Sequence, residues 1–299
     1  MSRVTTFGNG SAMLFDLAVN QRSLLDVQRQ IASGKRLQRG SDGPAEVVTT
    51  LDHRARLARS EQLGKNAGQA QEWLGGADTI LQSVVGGITE ARTLLVQASS
   101  SAVAPATRIA LANQIENIRE SLLAAANTKV LGRPLFGGTT SGDAAYDASG
   151  SYVGDTGQVS LPVAVGVTVT VSRNGPQVFG TADPLDPTNR DIFQQLDALA
   201  DAVRNNDTAA IGAGIDQLDA AINRIELTQV ELGSRVVQID DLRTSATAMD
   251  LELKAAITQL EDVDYAEAAV ALKSREAAYQ AALAVTARVV QPSLLDFLR

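Results

Sequence analysis

The sequence has no cysteine, a single histidine and few aromatic residues, and each shortage excludes a class of chemistry. Without cysteine, the 299-residue chain can form no disulfide, no thiolate metal site and no cysteine nucleophile. Because His53 is the only imidazole, a metal centre built from several histidines is excluded as well. Aromatic residues make up 4% of the chain and hydrophobic residues 44%, so the apolar content is mainly aliphatic. Small aliphatic side chains favour helix-on-helix packing over a thick core.

The chain also lacks an excess of basic residues and any long apolar run. Its formal net charge of -8 argues against a nucleic-acid partner, since such a surface needs Lys and Arg to replace condensed counterions. No stretch of about 18 apolar residues is present, so we expect no contact with a membrane interior. The first residues do not combine a basic region with an apolar stretch, and we expect no cleavable signal peptide.

Hydrophobic periodicity is the strongest positive signal. Apolar residues recur at spacings of three and four over Ala67–Ala98, Leu111–Ala125 and Ile192–Leu260, with a local phase shift between Val236 and Leu242. This spacing predicts helices that pack against other helices along one apolar stripe, which we call the seam. The second of these helices is expected to follow Pro105.

The two ends of the chain are also predicted to be helical. The first helix carries its seam from Leu14 to Ile31 and stops at Gly34, and the next begins at Pro44; the last helix runs from Tyr265 to about Val290. Basic residues exceed acidic ones through residue 39, whereas acidic residues exceed basic ones over residues 250–267. The two ends can therefore pair as an intramolecular hairpin, or gain their burial from copies of the chain or from a partner.

The middle of the chain has a different composition. Residues 132–190 are rich in Gly and Pro, and β-branched residues alternate over 159–171 with a break at Gly166, which predicts two short strands. The predicted fold is therefore mainly α with a small β insert: an elongated, coiled-coil-like helical bundle formed by the N- and C-terminal halves around a central β-rich domain. We expect terminal helical domains at 1–42 and 262–299, a helical bundle domain at 43–131 and 190–261, and a small outer domain at 132–189.

The sequence offers weak candidates for chemistry. Residues 132–139, GRPLFGGT, have the glycine spacing of a phosphate-binding loop, but Gly138 replaces its essential lysine. His53 lies among charged residues on an expected solvated helix face, which favours a surface role over a general base. Acidic residues cluster at Glu261, Asp262, Asp264 and Glu267, where they can serve acid–base or cation chemistry or, as we favour, simply begin a helix. We predict no enzyme, no cofactor and no metal site.

Several segments resemble bacterial flagellin and its junction relatives. Residues 28–37, QRQIASGKRL, and 41–45, SDGPA, look like the N-terminal signature of that family, and residues 260–269, LEDVDYAEAA, look like its C-terminal signature. Within the family, the relatives that connect hook and filament are most similar. The segments that carry this similarity are GRPLFGGT at 132–139, YVGD at 152–155, NGPQVF at 174–179 and QPSLLDFL at 291–298.

This resemblance implies a structural role in the flagellum. It implies export by the flagellar type III apparatus, a ring of copies at the hook–filament junction, and terminal helices lying coaxially in the inner tube. The implied partners are the chain itself, hook-associated protein 1, flagellin and a cytoplasmic export chaperone. The implied assembly residues are Leu14, Leu17, Leu24, Ile31, Tyr265, Leu272, Tyr279, Leu283, Leu294, Leu295, Phe297 and Leu298.

Three other interpretations remain open at this point. Arg299 ends the chain as it does in many flagellins, so a filament subunit is the main alternative. A signalling helical bundle shares the Ala-rich periodicity but not the β insert. An enzyme depending on His53 or Glu261 is the remaining class.

Overall fold

The computed structural model describes residues 3–100, 103–140, 142–181 and 190–297, with the backbone alone described over 3–11 and 288–297. Helices dominate these ranges, which confirms the predicted mainly α class with a small β insert. The helices are α1 (Arg3–Ser33), α2 (Pro44–Ala98), α3 (Pro105–Ala126), α4 (Gly175–Phe179), α5 (Ile192–Asn205), α6 (Thr208–Glu261) and α7 (Tyr265–Phe297). The strands are β1 (Lys129–Val130), β2 (Arg133–Pro134), β3 (Ser160–Ala164) and β4 (Val167–Thr170). No helix of the described ranges has both the length and the hydropathy needed to cross a bilayer.

Local signals explain where the helices begin and end. Helix α1 stops where Gly34 adopts φ +70°, a left-handed conformation that glycine reaches at no steric cost. Helices α2 and α3 both begin at a proline, whose missing N–H is one of the donors that a first turn leaves unpaired. Helix α5 begins after Asp191, whose carboxylate accepts the N–H groups of Phe193 and Gln194 at 3.0 and 2.9 Å.

The predicted pair of strands is present as an antiparallel hairpin. Strands β3 and β4 pair Ser160 with Thr170, and Gly166 sits in the turn with φ +76°. Alternation places Val163 and Val169 in the core, as the period of two requires. The second sheet pairs only β1 with β2, and the one-turn helix α4 has no counterpart among the predicted elements.

The few aromatic residues are concentrated rather than scattered. Phe136, Tyr146, Tyr152, Phe179 and Phe193 form a cluster in which neighbouring ring centroids lie 4.9 to 5.7 Å apart, mostly edge to face. This cluster joins the irregular segment after α3 to the first turn of α5. A low aromatic content therefore does not leave the insert without a core.

The chain divides into two compact units. The terminal unit comprises residues 1–59 and 249–299, and the central unit comprises residues 60–248. In the central unit the seam positions Leu74, Leu81, Ile88, Leu218 and Ile225 are completely buried. The sequence placed the boundaries between the terminal and bundle domains at residues 42 and 262. The two compact units instead meet near residues 59 and 249, so the division into three domains stays a prediction.

Candidate assembly surface

In the terminal unit α1 packs against α7 and buries part of the predicted assembly seam. The side chains of Leu17, Leu24, Ile31, Leu272 and Tyr279 are half-buried in this unit. The intramolecular hairpin that the opposite charges of the two ends suggested is therefore present. It leaves these side chains only partly covered.

Three further predicted assembly residues are exposed. Leu14 is 58% exposed, Tyr265 61% and Leu283 42%. The side chains of Leu294, Leu295 and Phe297 belong to the part of α7 described by its backbone alone, and Leu298 lies outside the described residues. Helix α7 itself continues past the predicted end at Val290 to Phe297.

The seam pattern missed a second set of exposed apolar side chains on the same two helices. These side chains lie outside the three-and-four spacing that defines one stripe, so the periodicity did not indicate them. A helix that is apolar on several faces has more surface to bury than one neighbour can cover, and that excess is the signal that could have identified them. They are Phe15, Val19 and Leu25 on α1 and Val270 and Val285 on α7, all between 45% and 70% exposed.

The two ends of the chain are fastened by a short backbone clasp. The N–H of Arg36 donates to the carbonyl of Glu261 at 2.6 Å, and the N–H of Val263 donates to the carbonyl of Gly34 at 2.9 Å. A side-chain Cβ at residue 34 would lie 2.9 Å from the hydroxyl of Tyr265, so glycine also permits this close approach. The clasp connects the segment after α1 to the segment before α7.

An ion-pair cluster reinforces the clasp from the side. The Glu261 carboxylate accepts from Lys35 Nζ at 3.0 Å and from Arg54 Nη2 at 2.5 and 2.7 Å, and Glu261 is only 8% exposed. Burial acts to raise the pKa of Glu261, but the hydrogen bonds and charges of Lys35 and Arg54 together outweigh it and hold that pKa below its usual value. Glu261 is therefore a charged structural bridge.

The prediction that the acidic cluster begins a helix holds for Asp264 and Glu267 but is wrong for Glu261. Asp264 does begin a helix, since its Oδ1 accepts from the N–H groups of Ala266 and Glu267 at 2.8 and 3.2 Å, and Glu267 lies in the first turn of α7. Glu261 instead ends α6 and faces two cations. Sequence spacing could not show this, because both partners lie more than 200 residues away.

The remaining candidates for chemistry do not assemble into a site. In the loop with phosphate-loop spacing, Asp155 accepts from the N–H and the hydroxyl of Thr139, both at 2.7 Å, so a carboxylate of the chain already takes this donor. His53 is half-buried rather than fully solvated. Within the described ranges, no three His, Asp or Glu residues are grouped closely enough to hold a metal ion.

Comparisons with known proteins agree on one kind of relative. Residues 4–141 match the bacterial flagellin N-terminal helical region, and residues 215–298 match the bacterial flagellin C-terminal helical region. The chain is 24% identical over 243 residues to flagellar hook-associated protein 3 of Salmonella typhimurium. The aligned region covers 75% of this chain and 76% of that protein.

Two solved structures share the fold. A flagellar hook-associated protein from Vibrio parahaemolyticus matches with a TM-score of 0.67 at 21% identity, over 74% of this chain and 100% of that one. The flagellar junction protein FlgL from Legionella pneumophila matches with a TM-score of 0.58 at 16% identity, over 72% of this chain and 100% of that one.

Proposed function

Since the chain belongs to the bacterial flagellin family, we propose that it is a structural subunit of the flagellum that joins the hook to the filament. The relatives named hook-associated protein and junction protein support the junction over a filament subunit. The chain acts by self-association and contact with its neighbours, and its role is structural rather than catalytic.

One observation carries this proposal: the terminal unit exposes large apolar side chains on α1 and α7 after the two helices have paired. Phe15 is 66% exposed and Val270 is 70% exposed. Exposed apolar side chains concentrated on paired helices are typical of surfaces that a partner covers. Burying each such side chain contributes about 1.5–3 kcal/mol, so a few of them are enough to drive association.

Membership of the family supports a proposal for the partners and the export route. We propose that copies form a ring, that hook-associated protein 1 lies on the hook side and that flagellin lies on the filament side. A cytoplasmic export chaperone covers the C-terminal helix before the chain leaves through the flagellar type III apparatus. The absence of cysteine suits this route, because no disulfide can block an unfolded chain.

Deletion of the gene tests the junction assignment. We expect electron microscopy to show hooks without filaments, and immunoblots to show flagellin released into the medium. Re-expression of the chain should restore attached filaments. If the deletion strain instead makes no filament protein at all, the chain is the filament subunit and the junction assignment is wrong.

A surface variant tests the terminal unit directly. Phe15→Ser should leave the thermal stability of the purified chain unchanged, since the side chain is exposed, but should reduce filament attachment in the complemented strain. Val237→Ser is the matched control, because Val237 is 61% exposed but belongs to the central unit. Equal attachment by both variants would contradict assembly through the terminal helices.

A further inference from the structure

The turn between β1 and β2 in the central unit holds a leucine in an unusual conformation. Leu131 and Gly132 form this turn, and both have positive φ, +51° and +78°. Hairpin turns of this kind favour Asn, Asp or Gly, because these residues reach the left-handed region at lower cost than leucine. Leu131 is also 58% exposed. A strained residue that the fold leaves mostly uncovered points to a contact with another molecule.

The neighbours of Leu131 make this hairpin basic. Arg133 forms no ion pair within the described residues, and its Nη2 donates to the carbonyl of Thr139 at 2.5 Å. Lys129 is the second cation and pairs with the exposed Asp143 at 2.8 Å. The central unit as a whole has more acidic than basic residues, so copies attract one another there only where one side is locally basic. The matching surface is an apolar patch beside a carboxylate that no cation neutralises.

One face of α6 has this composition, and we call it the acceptor face. Leu227 and Val230 are 69% and 70% exposed, and Glu226 lies on the same face because residues three and four apart are neighbours on a helix. Glu226 is exposed and forms no ion pair in the part of the chain that the structure describes. Ile225 and Leu232 are buried, so the opposite side of α6 faces the core.

The hairpin and the acceptor face lie at the same level of the central unit. A Cβ at Gly76 on α2 would lie 3.0 Å from Cγ2 of Val130 in β1. Two residues further along α2, Asp78 accepts from Nε2 of Gln229 on α6 at 3.1 Å. Two residues correspond to about 3 Å along a helix and about 200° around it. The hairpin and α6 therefore flank α2 on opposite sides, with Leu227 and Val230 close to the level of the hairpin.

Three exposed valines of the central unit lie at other levels. Val96 is about 30 Å along α2 from Gly76, and Val237 is about 10 Å along α6 from Val230. Val165 belongs to the β3–β4 hairpin, which reaches α2 at Asn66, about 15 Å from Gly76. The level of the β1–β2 hairpin thus selects Leu227 and Val230 over these residues.

We propose that the β1–β2 hairpin of one copy packs against the acceptor face of the next copy, with Leu131 covering Leu227 and Val230 and Arg133 facing Glu226. This inference rests on the proposed function, because it describes how neighbouring junction subunits lie side by side. Hairpin and acceptor face are different surfaces, so the contact is head-to-tail, and such contacts generate rings when the rotation between copies closes. The contact adds to association through the terminal unit.

Cross-linking tests the contact in assembled flagella. The chain has no cysteine, so in a variant carrying Leu131→Cys and Val230→Cys only the two introduced thiols of this chain react with a short bismaleimide. Isolated hook–filament complexes should give a ladder of dimers, trimers and larger species. Val165→Cys combined with Val230→Cys is the matched control, because Val165 is 70% exposed at another turn of the same unit, and it should remain monomeric. Leu131→Cys alone should also remain monomeric.

Each outcome separates the hypotheses. Variant protein present in the complexes without a ladder refutes the hairpin contact while the junction assignment stands. Dimers from Leu131→Cys alone refute the head-to-tail arrangement, and an equal ladder from the Val165 variant refutes the choice of hairpin. Absence of the chain from complexes that carry filaments refutes the junction assignment and, with it, this inference.

Leu131→Asn separates a binding role from a structural one. Asn suits the left-handed position better than Leu, so the purified chain should keep or raise its melting temperature. In the complemented strain, shear should remove filaments more readily, because the apolar contact between copies is lost. Unchanged attachment under shear would refute the contact, and a lower melting temperature would show that the leucine serves the fold.

A charge reversal tests the polar part of the contact. Glu226→Lys, added to the Leu131→Cys and Val230→Cys variant, should lower the yield of the ladder roughly three- to tenfold, because it then faces Arg133 with like charge. Asp240→Lys makes the same change at another exposed position of α6 and should leave the yield unchanged. Equal yields from the two substitutions would overturn the pairing of Arg133 with Glu226.

Discussion

Replacing Glu261 with Gln is expected to loosen the clasp between the two ends of the chain while leaving the fold intact. The substitution preserves the size of the side chain and removes its charge. Lys35 and Arg54 then lose the carboxylate that they share. The clasp hydrogen bonds of Arg36 and Val263 lie next to this position, so they report its opening directly.

The structure sets the size of the effect. A hydrogen bond to a charged group contributes about 1.5–3 kcal/mol, and loss of one partner of a fully buried pair costs about 3–5 kcal/mol. The side chains of Lys35 and Arg54 are 45% and 48% exposed, so water replaces much of what they lose. The Gln amide oxygen also keeps one acceptor. We therefore expect a net cost of about 1–2 kcal/mol for opening the clasp.

Hydrogen exchange of the Arg36 and Val263 amides measures this cost. A change of about 1–2 kcal/mol corresponds to exchange that is roughly 5–30 times faster. Asp52→Asn is the matched control, because Asp52 pairs with Arg56 across an exposed helix turn, where the expected change is below about 0.5 kcal/mol. Equal exchange rates in Glu261→Gln and Asp52→Asn would refute the argument that the buried Glu261 carboxylate stabilises the clasp.

The lowered pKa of Glu261 also fixes the direction in which the stability of the clasp changes with pH. The pKa of Glu261 is lowered in the folded chain, so the stabilisation is complete above the usual pKa near 4.5 and is lost as pH falls through the folded value. The protection factor of the clasp amides, which compares the intrinsic exchange rate with the observed one, should therefore fall on acidification below about pH 4.5. In Glu261→Gln this fall should be absent. A fall that persists in the variant would assign it to another group.

Five further substitutions have defined outcomes. Gly34→Ala should destabilise the terminal unit by about 1–2 kcal/mol, because φ is +70° at this residue. Gly40→Ala should be nearly neutral, because a Cβ at residue 40 would meet open space. Thermal unfolding followed by circular dichroism compares the two variants. Tyr146→Phe should be neutral or slightly stabilising in urea unfolding, because its buried hydroxyl has no partner among the described residues. Tyr152→Phe should cost about 1 kcal/mol, because the Tyr152 hydroxyl donates to the backbone carbonyl of Asp155 at 2.6 Å. Asp191→Ala should lower the free energy of unfolding by about 1–2 kcal/mol, because it removes the N-terminal cap of α5. A larger loss of stability in Tyr146→Phe than in Tyr152→Phe, or a neutral Asp191→Ala, would contradict these contacts.

Local signals made most of the fold predictable from the sequence. Gly34, Pro44 and Pro105 mark helix ends or starts through the geometry of a single residue, and Gly166 marks the hairpin turn in the same way. The period of apolar residues correctly predicted the buried face of each long helix in the central unit. These signals need no knowledge of distant parts of the chain.

Features that depend on distant contacts were not predictable. Glu261 looked like part of a helix start because its neighbours in sequence are acidic, yet its partners are Lys35 and Arg54. The exposed Phe15 and Val270 were missed because one stripe was used to define each helix. The assembly roles of the seam residues remain a prediction, since a single chain shows which side chains are uncovered and not what covers them.

The distribution of charge favours association at the ends of the chain. The central unit, residues 60–248, carries all of the net negative charge, whereas basic residues slightly outnumber acidic ones in the terminal unit. Copies that approached through their central units would repel one another, with screening over about 8 Å at physiological salt. Copies that meet through the terminal unit avoid this repulsion and bury apolar side chains that the fold leaves exposed. The charge pattern and the exposed apolar surface thus both indicate the terminal unit as the region of association. The two observations are independent, because the first depends on acidic and basic residues and the second on aliphatic and aromatic ones.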